Sequence, residues 1–248
     1  MAEPPESLKK AQLWAVEALA FAKEKVGTDS LLWGQQVIGT SSMFSGCGYG
    51  ERALEYIHAA RALHGKDLGS LTECLWTCEK NAAARSSHLD TLSVDACRFM
   101  DVFDFMSEDA VKEMKKVGTK SDVNRFKRWL TIGRKADLPT HAYCCQHLKK
   151  CPIRFALLNL SGSMCVAYST LGNLQKLDDA TAMLLVIYMM HNFRKRVWVL
   201  VHENVKGFLS DTLTDVAAEY GYDHFQIQCK PMDVGVHVGR PRKHLSNL

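Results

Sequence analysis

Short apolar runs alternate along the chain with longer stretches whose apolar residues recur at helical spacing. That rhythm predicts strands and helices in turn. From Glu6 to Lys25, residues Leu8, Leu13, Val16, Leu19 and Ala20 fall at helical intervals, while Lys9, Lys10, Glu17, Lys23 and Glu24 fall elsewhere. Pro4 and Pro5 before it and Gly27 after it punctuate this helix, which is expected to pack on the core. Strands are predicted within Leu31–Thr40 and over Thr72–Glu79, Phe99–Phe105, Leu157–Leu160, Arg196–Glu203 and Phe225–Cys229. Helices are predicted from Gly50 to Leu63 and over Lys80–Leu89, Ala180–Phe193 and Leu209–Ala218. The alternation implies an α/β sheet covered by helices.

One stretch breaks the rhythm. Residues Met106 to Arg154 are rich in Lys112, Lys115, Lys116, Lys120, Arg125, Lys127, Arg128, Arg134, Lys135, Lys149 and Lys150, with Trp129 and Tyr143 between them. This reads as a basic insertion at about 106–154. It is either a solvated helical surface or a face that follows a phosphate backbone. Within it His141, Cys144, Cys145, His147 and Cys151 suit zinc by ligand type. Their spacing matches no standard finger, so zinc stays the lesser alternative to a site without metal.

Composition narrows the class. A hydrophobic fraction of 47% over 248 residues supports a globular protein with a full core. The strongest apolar run, Ala180–Met190, is too short to span a bilayer and is followed by His191, Arg194, Lys195 and Arg196. No secretory pattern opens the chain. Nine cysteines with no disulfide framework point to a reduced intracellular protein, nuclear in a eukaryote and otherwise cytoplasmic. The net charge of +4 permits nucleic acid as a partner.

Candidate chemistry sits at the predicted strand ends. Phe44-Ser45-Gly46-Cys47-Gly48-Tyr49-Gly50 is a glycine loop between a strand and a helix, where backbone can approach a ligand closely. No Lys-Ser/Thr follows it, and its spacing differs from the dinucleotide form. Glu79, one βαβ repeat later, can accept both hydroxyls of a ribose, or it is a plain N-terminal helix acid. Asp101 could meet an adenine amino group, with Asp104 the competing acid. Ser161-Gly162-Ser163-Met164-Cys165 ends a short buried strand and places a thiol in the crevice. Glu203-Asn204 ends the next strand beside it.

In this order the set resembles the DNA cytosine-5 methyltransferase family. Phe44–Gly48 resembles its motif I, Glu79 its motif II acid, and Asp101-Val102 its motif III. Gly162–Ser169 resembles the Pro-Cys-Gln loop of motif IV, Glu203-Asn204-Val205 matches motif VI, and Gly235–Arg242 resembles motif VIII with Arg240 and Arg242 in its Arg-x-Arg positions. The resemblance implies a Rossmann-like, S-adenosylmethionine-dependent fold: a mostly parallel sheet of about seven strands with helices on both faces. An N-terminal lead-in over 1–40 and a catalytic domain over 41–248 follow. It implies Cys165 as nucleophile, Glu203 as the acid at ring nitrogen 3, and Arg240 and Arg242 as partners of the exocyclic oxygen. Phe44, Ser45, Gly46, Cys47, Gly48, Glu79, Asp101 and Val102 would hold S-adenosylmethionine, and Ser163 and Asn204 the substrate.

The motifs also depart from the pattern. Met164 stands for the family's Pro, Val166 for its Gln, and His237-Val238 for its Pro-Gln pair. The target-recognition domain and motifs IX and X have no counterpart in the sequence, so a separate chain is a candidate source of target recognition. DNA is the expected substrate, RNA the alternative for the same chemistry, and a methyltransferase-like regulatory protein without turnover the alternative from a different class.

Overall fold

The computed structural model describes residues 37–63, 72–86, 93–118, 124–163, 177, 179–205, 208 and 210–226. The predicted helix over 6–25 lies outside them. Seven strands form one sheet: β1 (Ile38–Met43), β2 (Thr72–Cys78), β3 (Cys97–Phe99), β4 (His141–Cys144), β5 (Lys149–Pro152), β6 (Leu158–Ser161) and β7 (Val199–His202). Their order is β5-β4-β3-β2-β1-β6-β7. The five strands from β3 to β7 through β1 are parallel, and β4 and β5 form an antiparallel hairpin outside β3. The architecture is α/β and Rossmann-like, with the order reversing between β1 and β6.

The helices are α1 (Tyr49–Leu63), α2 (Ala82–Ser86), α3 (Glu108–Gly118), α4 (Arg125–Lys135), α5 (Ala182–Arg194) and α6 (Ser210–Glu219). Adjacent residues on a strand point to opposite faces. Ser42 meets Glu51 of α1, and Leu160 packs under Gly50 of the same helix. Ser41 therefore points the other way, where its hydroxyl accepts from Asn159 Nδ2 at 2.8 Å. Helices thus cover both faces. α5 is apolar around its whole circumference, as a helix buried on all sides must be, and eleven of its thirteen residues are buried. It begins where Asp179 accepts the Thr181 amide at 2.7 Å.

Two expectations about the strands need correction. The third strand ends at Phe99 instead of running to Phe105. Asp101 Oδ1 accepts the Phe103 amide at 3.1 Å and starts a 3-10 turn over Val102–Phe105, the local bond by which Asp competes with extended backbone. The second correction is the β4–β5 hairpin, which arises inside the segment read as an insertion and supplies both antiparallel strands. Its period of two is present in the sequence, with Ala142 and Cys144 buried and His141 and Tyr143 exposed. Small residues and cysteines make that signal weak. Of the predicted strand Phe225–Cys229, Phe225 and Gln226 are described and are not strand; the rest lies outside.

The same segment also builds core. α3 buries Ala110, Val111, Met114 and Val117, and α4 buries Phe126, Trp129, Leu130 and Gly133, both at helical spacing. Trp129 is fully buried and donates from Nε1 to the Met114 carbonyl at 2.8 Å. α4 is tied to α5 by Arg194, which donates to the Gly133 and Ala136 carbonyls at 3.1 and 2.5 Å. Beside them Trp76, Phe99, Phe105 and His191 form an aromatic cluster, with Trp76–Phe105 centroids 5.0 Å apart and Phe105–His191 4.9 Å apart. Burying each of the two phenylalanine side chains contributes roughly 1.5–3 kcal/mol.

The two sheet edges differ. β5 carries exposed Lys149, Lys150 and Pro152. β7 leaves Val199 and Val201 about half exposed, after a largely exposed Trp198. Among the described residues no helix is long and apolar enough to cross a membrane.

Candidate active site

Parallel strands deliver all their carboxyl ends to one side of a sheet, and the order reversal opens a crevice there. β1 and β6 flank that crevice, with Met43 paired to Ser161, and Ser161 is paired in turn to His202 of β7. The glycine loop, the Ser161–Ser163 segment and the His202–Asn204 segment therefore leave three adjacent strands side by side.

The glycine loop turns sharply. Phe44, Gly46 and Gly48 all adopt positive φ, at 56°, 55° and 76°. Gly46 belongs there because a side chain resists that conformation even though open space surrounds its Cα. Phe44 carries the strain and packs on Tyr188 of α5, centroids 6.4 Å apart. The loop is laced to β2: the Ser45 amide donates to the Cys78 carbonyl at 3.3 Å, and the Gly46 amide to Glu79 Oε2 at 2.9 Å. Glu79 Oε1 accepts the Asn81 amide at 2.7 Å, and the Glu79 amide reaches the Phe99 carbonyl of β3 at 3.2 Å. Each carboxylate oxygen retains a second lone pair for a ligand hydroxyl.

Acids and bases both stand around this loop. Glu51, buried in the first turn of α1, accepts from the Ser42 hydroxyl, and Asp101 lies 3.6 Å from Lys80 Nζ. The buried Cys78 thiol is pushed well up, first by burial and then by Asp101, Asp104 and Glu79. Burial, with Asp101 beside it, also raises the Asp104 carboxyl. Val102 is buried in the core and Cys47 is exposed.

On the other side of the crevice, Ser163 is clamped. Asn204 Nδ2 donates to Ser163 Oγ at 3.0 Å and to its carbonyl at 3.3 Å. His202 Nε2 lies 2.9 Å from the same hydroxyl. Burial lowers the His202 pKa to about 4, so the ring is neutral at pH 7. One proton assignment satisfies all three groups: Asn204 donates to Ser163, and the Ser163 hydroxyl donates to His202. Asn204 Oδ1 accepts the Val205 amide at 2.9 Å. The Glu203 amide donates to the Ser161 carbonyl at 2.8 Å. A Cβ on Gly162 would stand 3.3 Å from Glu203 Oε2, so a small residue is suited to that position. The Glu203 side chain is exposed; the burial its assigned role calls for is not supplied by the described residues.

An aromatic row runs beneath both halves of the crevice. Tyr188 stands 5.4 Å from His202, and His202 stands 5.1 Å from Phe208, so Phe44, Tyr188, His202 and Phe208 connect the glycine loop to β7. His202, Glu51 and Tyr188 were not singled out in the sequence. His202 had a signal, being the last residue of its strand; Glu51 and Tyr188 look like ordinary helix residues.

The expected site residues Phe44, Ser45, Gly46, Gly48, Glu79, Asp101, Ser163, Glu203 and Asn204 are all on this side of the sheet. Cys165, Arg240 and Arg242 lie outside the described residues, as do Met164, Val166 and His237-Val238. A separate cavity of about 440 Å³ lies between α1 and the starts of β1 and β2, near Val37 and Thr72, at the opposite strand ends from the crevice. Of the five residues weighed as zinc ligands, Cys144, His147 and Cys151 converge with Cys97 of β3. His141 instead meets the Thr140 hydroxyl at 3.0 Å, and Cys145 turns to the Arg98 carbonyl at 3.2 Å. Compared with known proteins, the chain matches no family model and no curated relative.

Proposed function

We propose that this chain transfers a methyl group from S-adenosylmethionine to carbon 5 of cytosine, in DNA by preference. The observation that carries the reading is the pairing of Ser161 with His202. It sets the strand leading to Cys165 beside the strand ending in Glu203, while Asn204 grips Ser163, two residues before the thiol. The glycine loop and Glu79 flank the same crevice from β1 and β2. The Glu79 carboxylate keeps lone pairs for ribose hydroxyls, and the glycine loop lacks the Lys-Ser/Thr of a phosphate-binding loop, which suits a nucleoside better than a polyphosphate. The motif resemblance supports the same assignment.

In this reading the Cys165 thiolate adds to carbon 6 of cytosine and forms the C–S bond, pushing the ring's electron pair toward carbon 5. Glu203, protonated, donates at ring nitrogen 3 as charge develops there, which requires its carboxyl to be desolvated. Exposed in the free protein, Glu203 gains that burial when an extruded base fills the crevice. Arg240 and Arg242 hold the exocyclic oxygen. S-adenosylmethionine, when bound, supplies the methyl that carbon 5 takes. Loss of the carbon 5 proton to a base then returns the electron pair, breaks the C–S bond and frees Cys165. Target recognition would come from a partner chain or from the basic face of α4.

The test is a covalent trap. With S-adenosylmethionine and fluorocytosine-containing DNA, methylation at carbon 5 proceeds but elimination stalls, because no proton is left to remove. The expected result is a stable adduct absent from Cys165→Ser. The same trap on RNA identifies that substrate instead. S-adenosylmethionine binding with no Cys165-dependent adduct on either nucleic acid identifies a regulatory protein and overturns the enzyme reading.

A further inference from the structure

We propose that Cys97, Cys144, His147 and Cys151 bind one structural zinc ion, at a site on the hairpin side of the sheet and independent of the methyl-transfer reading. The four ligand atoms lie within 4.8 Å of one another. His147 Nδ1 is 3.4 Å from Cys144 Sγ, 3.5 Å from Cys151 Sγ and 3.8 Å from Cys97 Sγ. Tetrahedral zinc with Zn–S of about 2.3 Å and Zn–N of about 2.0 Å requires S···N edges of roughly 3.6 Å. The group already has that size, so an ion enters with little rearrangement.

The surroundings are those of a metal site. His147 Nε2 lies 3.3 Å from the Val94 carbonyl. A proton on Nε2 bonds that oxygen and leaves the Nδ1 lone pair aimed at the three sulfurs, the arrangement by which an outer partner fixes a ligating imidazole. The Arg98 amide donates to Cys144 Sγ at 3.2 Å, a bond that favours thiolate. The three cysteines are buried. Three sulfurs and one nitrogen select zinc over hard cations such as magnesium or calcium. Four protein ligands close the coordination sphere, so the role is structural rather than catalytic.

Topology supplies a reason for the site. Cys144 and Cys151 come from β4 and β5, His147 from the turn between them, and Cys97 from the start of β3. The hairpin is joined to the parallel sheet through a single bridge pair, Phe99 with Cys144. Zinc would bolt both hairpin strands and their turn to β3. A pattern search on the hairpin alone finds Cys-x2-His-x3-Cys and lacks the fourth ligand, which lies 47 residues before Cys144.

The experiment uses the full chain, purified without a polyhistidine tag or chelator and under reductant. Elemental analysis should give one zinc per chain, and exchange with Co²⁺ should give the visible spectrum of tetrahedral thiolate ligation. Cys144→Ser and His147→Ala should weaken Co²⁺ binding by more than about 100-fold, beyond the loss of an outer-sphere partner. Cys145→Ser, next to a ligand in sequence but turned away, should keep both the stoichiometry and the spectrum. The proposal is overturned if the folded wild-type chain neither contains zinc nor yields the thiolate spectrum with added Co²⁺. Equal loss in Cys145→Ser and Cys144→Ser overturns it too, as does a disulfide among Cys97, Cys144 and Cys151 in reductant. If the ligand variants fail to fold, the wild-type and Cys145→Ser measurements decide.

Discussion

Glu79 accepts the Gly46 amide with one carboxylate oxygen at 2.9 Å and the Asn81 amide with the other at 2.7 Å. One side chain thereby fixes the glycine loop after β1 to the end of β2 while keeping lone pairs toward the crevice. Glu79→Ala should lower S-adenosylmethionine affinity about 10- to 100-fold, as expected for losing hydrogen bonds to a charged acceptor. Glu79→Gln, which keeps one acceptor oxygen, should fall between the two. Calorimetric titration checks both, and equal affinity in all three proteins would remove Glu79 from the ligand site.

Asn204 makes two hydrogen bonds to Ser163. Asn204→Ala removes both and unfastens the segment that leads to Cys165, at a cost of about 1–3 kcal/mol. Adduct formation should slow by at least about 10-fold while cofactor affinity stays constant. Single-turnover rates on trapped DNA measure the first and calorimetry the second.

Gly162→Ala would put a methyl group 3.3 Å from Glu203 Oε2. The carboxylate can swing aside, so the fold should survive with an unchanged Tm. Displacing the acid by a few tenths of an ångström should lower kcat, by less than the roughly 100-fold that a 1 Å misplacement costs. A Tm loss without a rate loss would show the glycine to be structural.

A buried histidine, His191, and a partly buried one, His202, make stability depend on pH. Burial lowers His191 from its ordinary 6.5 to about 3, helped by Lys195 one turn along, and lowers His202 to about 4. Below pH 6.5 the unfolded chain takes up protons that the folded chain refuses, so stability is lost as pH falls. For His191 the loss continues to about pH 3, and for His202 to about pH 4. Each contributes a slope of about 1.4 kcal/mol per pH unit within its window. His191→Leu should flatten the slope between pH 6 and pH 5 by about that amount, read from urea midpoints at each pH.

Trp129→Ala should cost about 3–5 kcal/mol, because a fully buried indole and its bond to Met114 are both lost. Lys127→Ala, on the exposed side of the same helix, should change stability by less than about 0.5 kcal/mol. Urea unfolding distinguishes a helix that builds core from one that only decorates the surface.

These contrasts explain what could be read in the sequence. β6 was legible because a parallel strand buried on both faces is short and apolar, as Leu157–Leu160 shows; β1 was placed too early, because Ser41 and Ser42 in its second half are polar though buried. α5 was legible for the same reason as β6. The β4–β5 hairpin was not, because its buried positions are Ala142, Cys144 and Cys151, whose weak hydrophobicity hides the alternation. The third strand was drawn too long because apolar residues continue past Phe99 while Asp101 turns the backbone. In the site, Glu79 was singled out from its place at a strand end, and Ser163 and Asn204 through the motif resemblance. His202 escaped because its part depends on a partner 39 residues away in sequence. Cys97 escaped for the same reason, since periodicity carries no information about which distant thiols a fold brings together.

The unlike edges of the sheet bear on how it can grow. β5 is short, presents Lys149 and Lys150 to solvent and ends at Pro152, which has no amide hydrogen to offer a neighbour. β7 carries no charge between Val199 and His202 at neutral pH and shows half-exposed valines. Among the described residues, a further strand, from this chain or another, therefore has a closed door on the hairpin side and an open one beside β7. Self-association through strand addition would begin there, and a lysine in place of Val201 should suppress it.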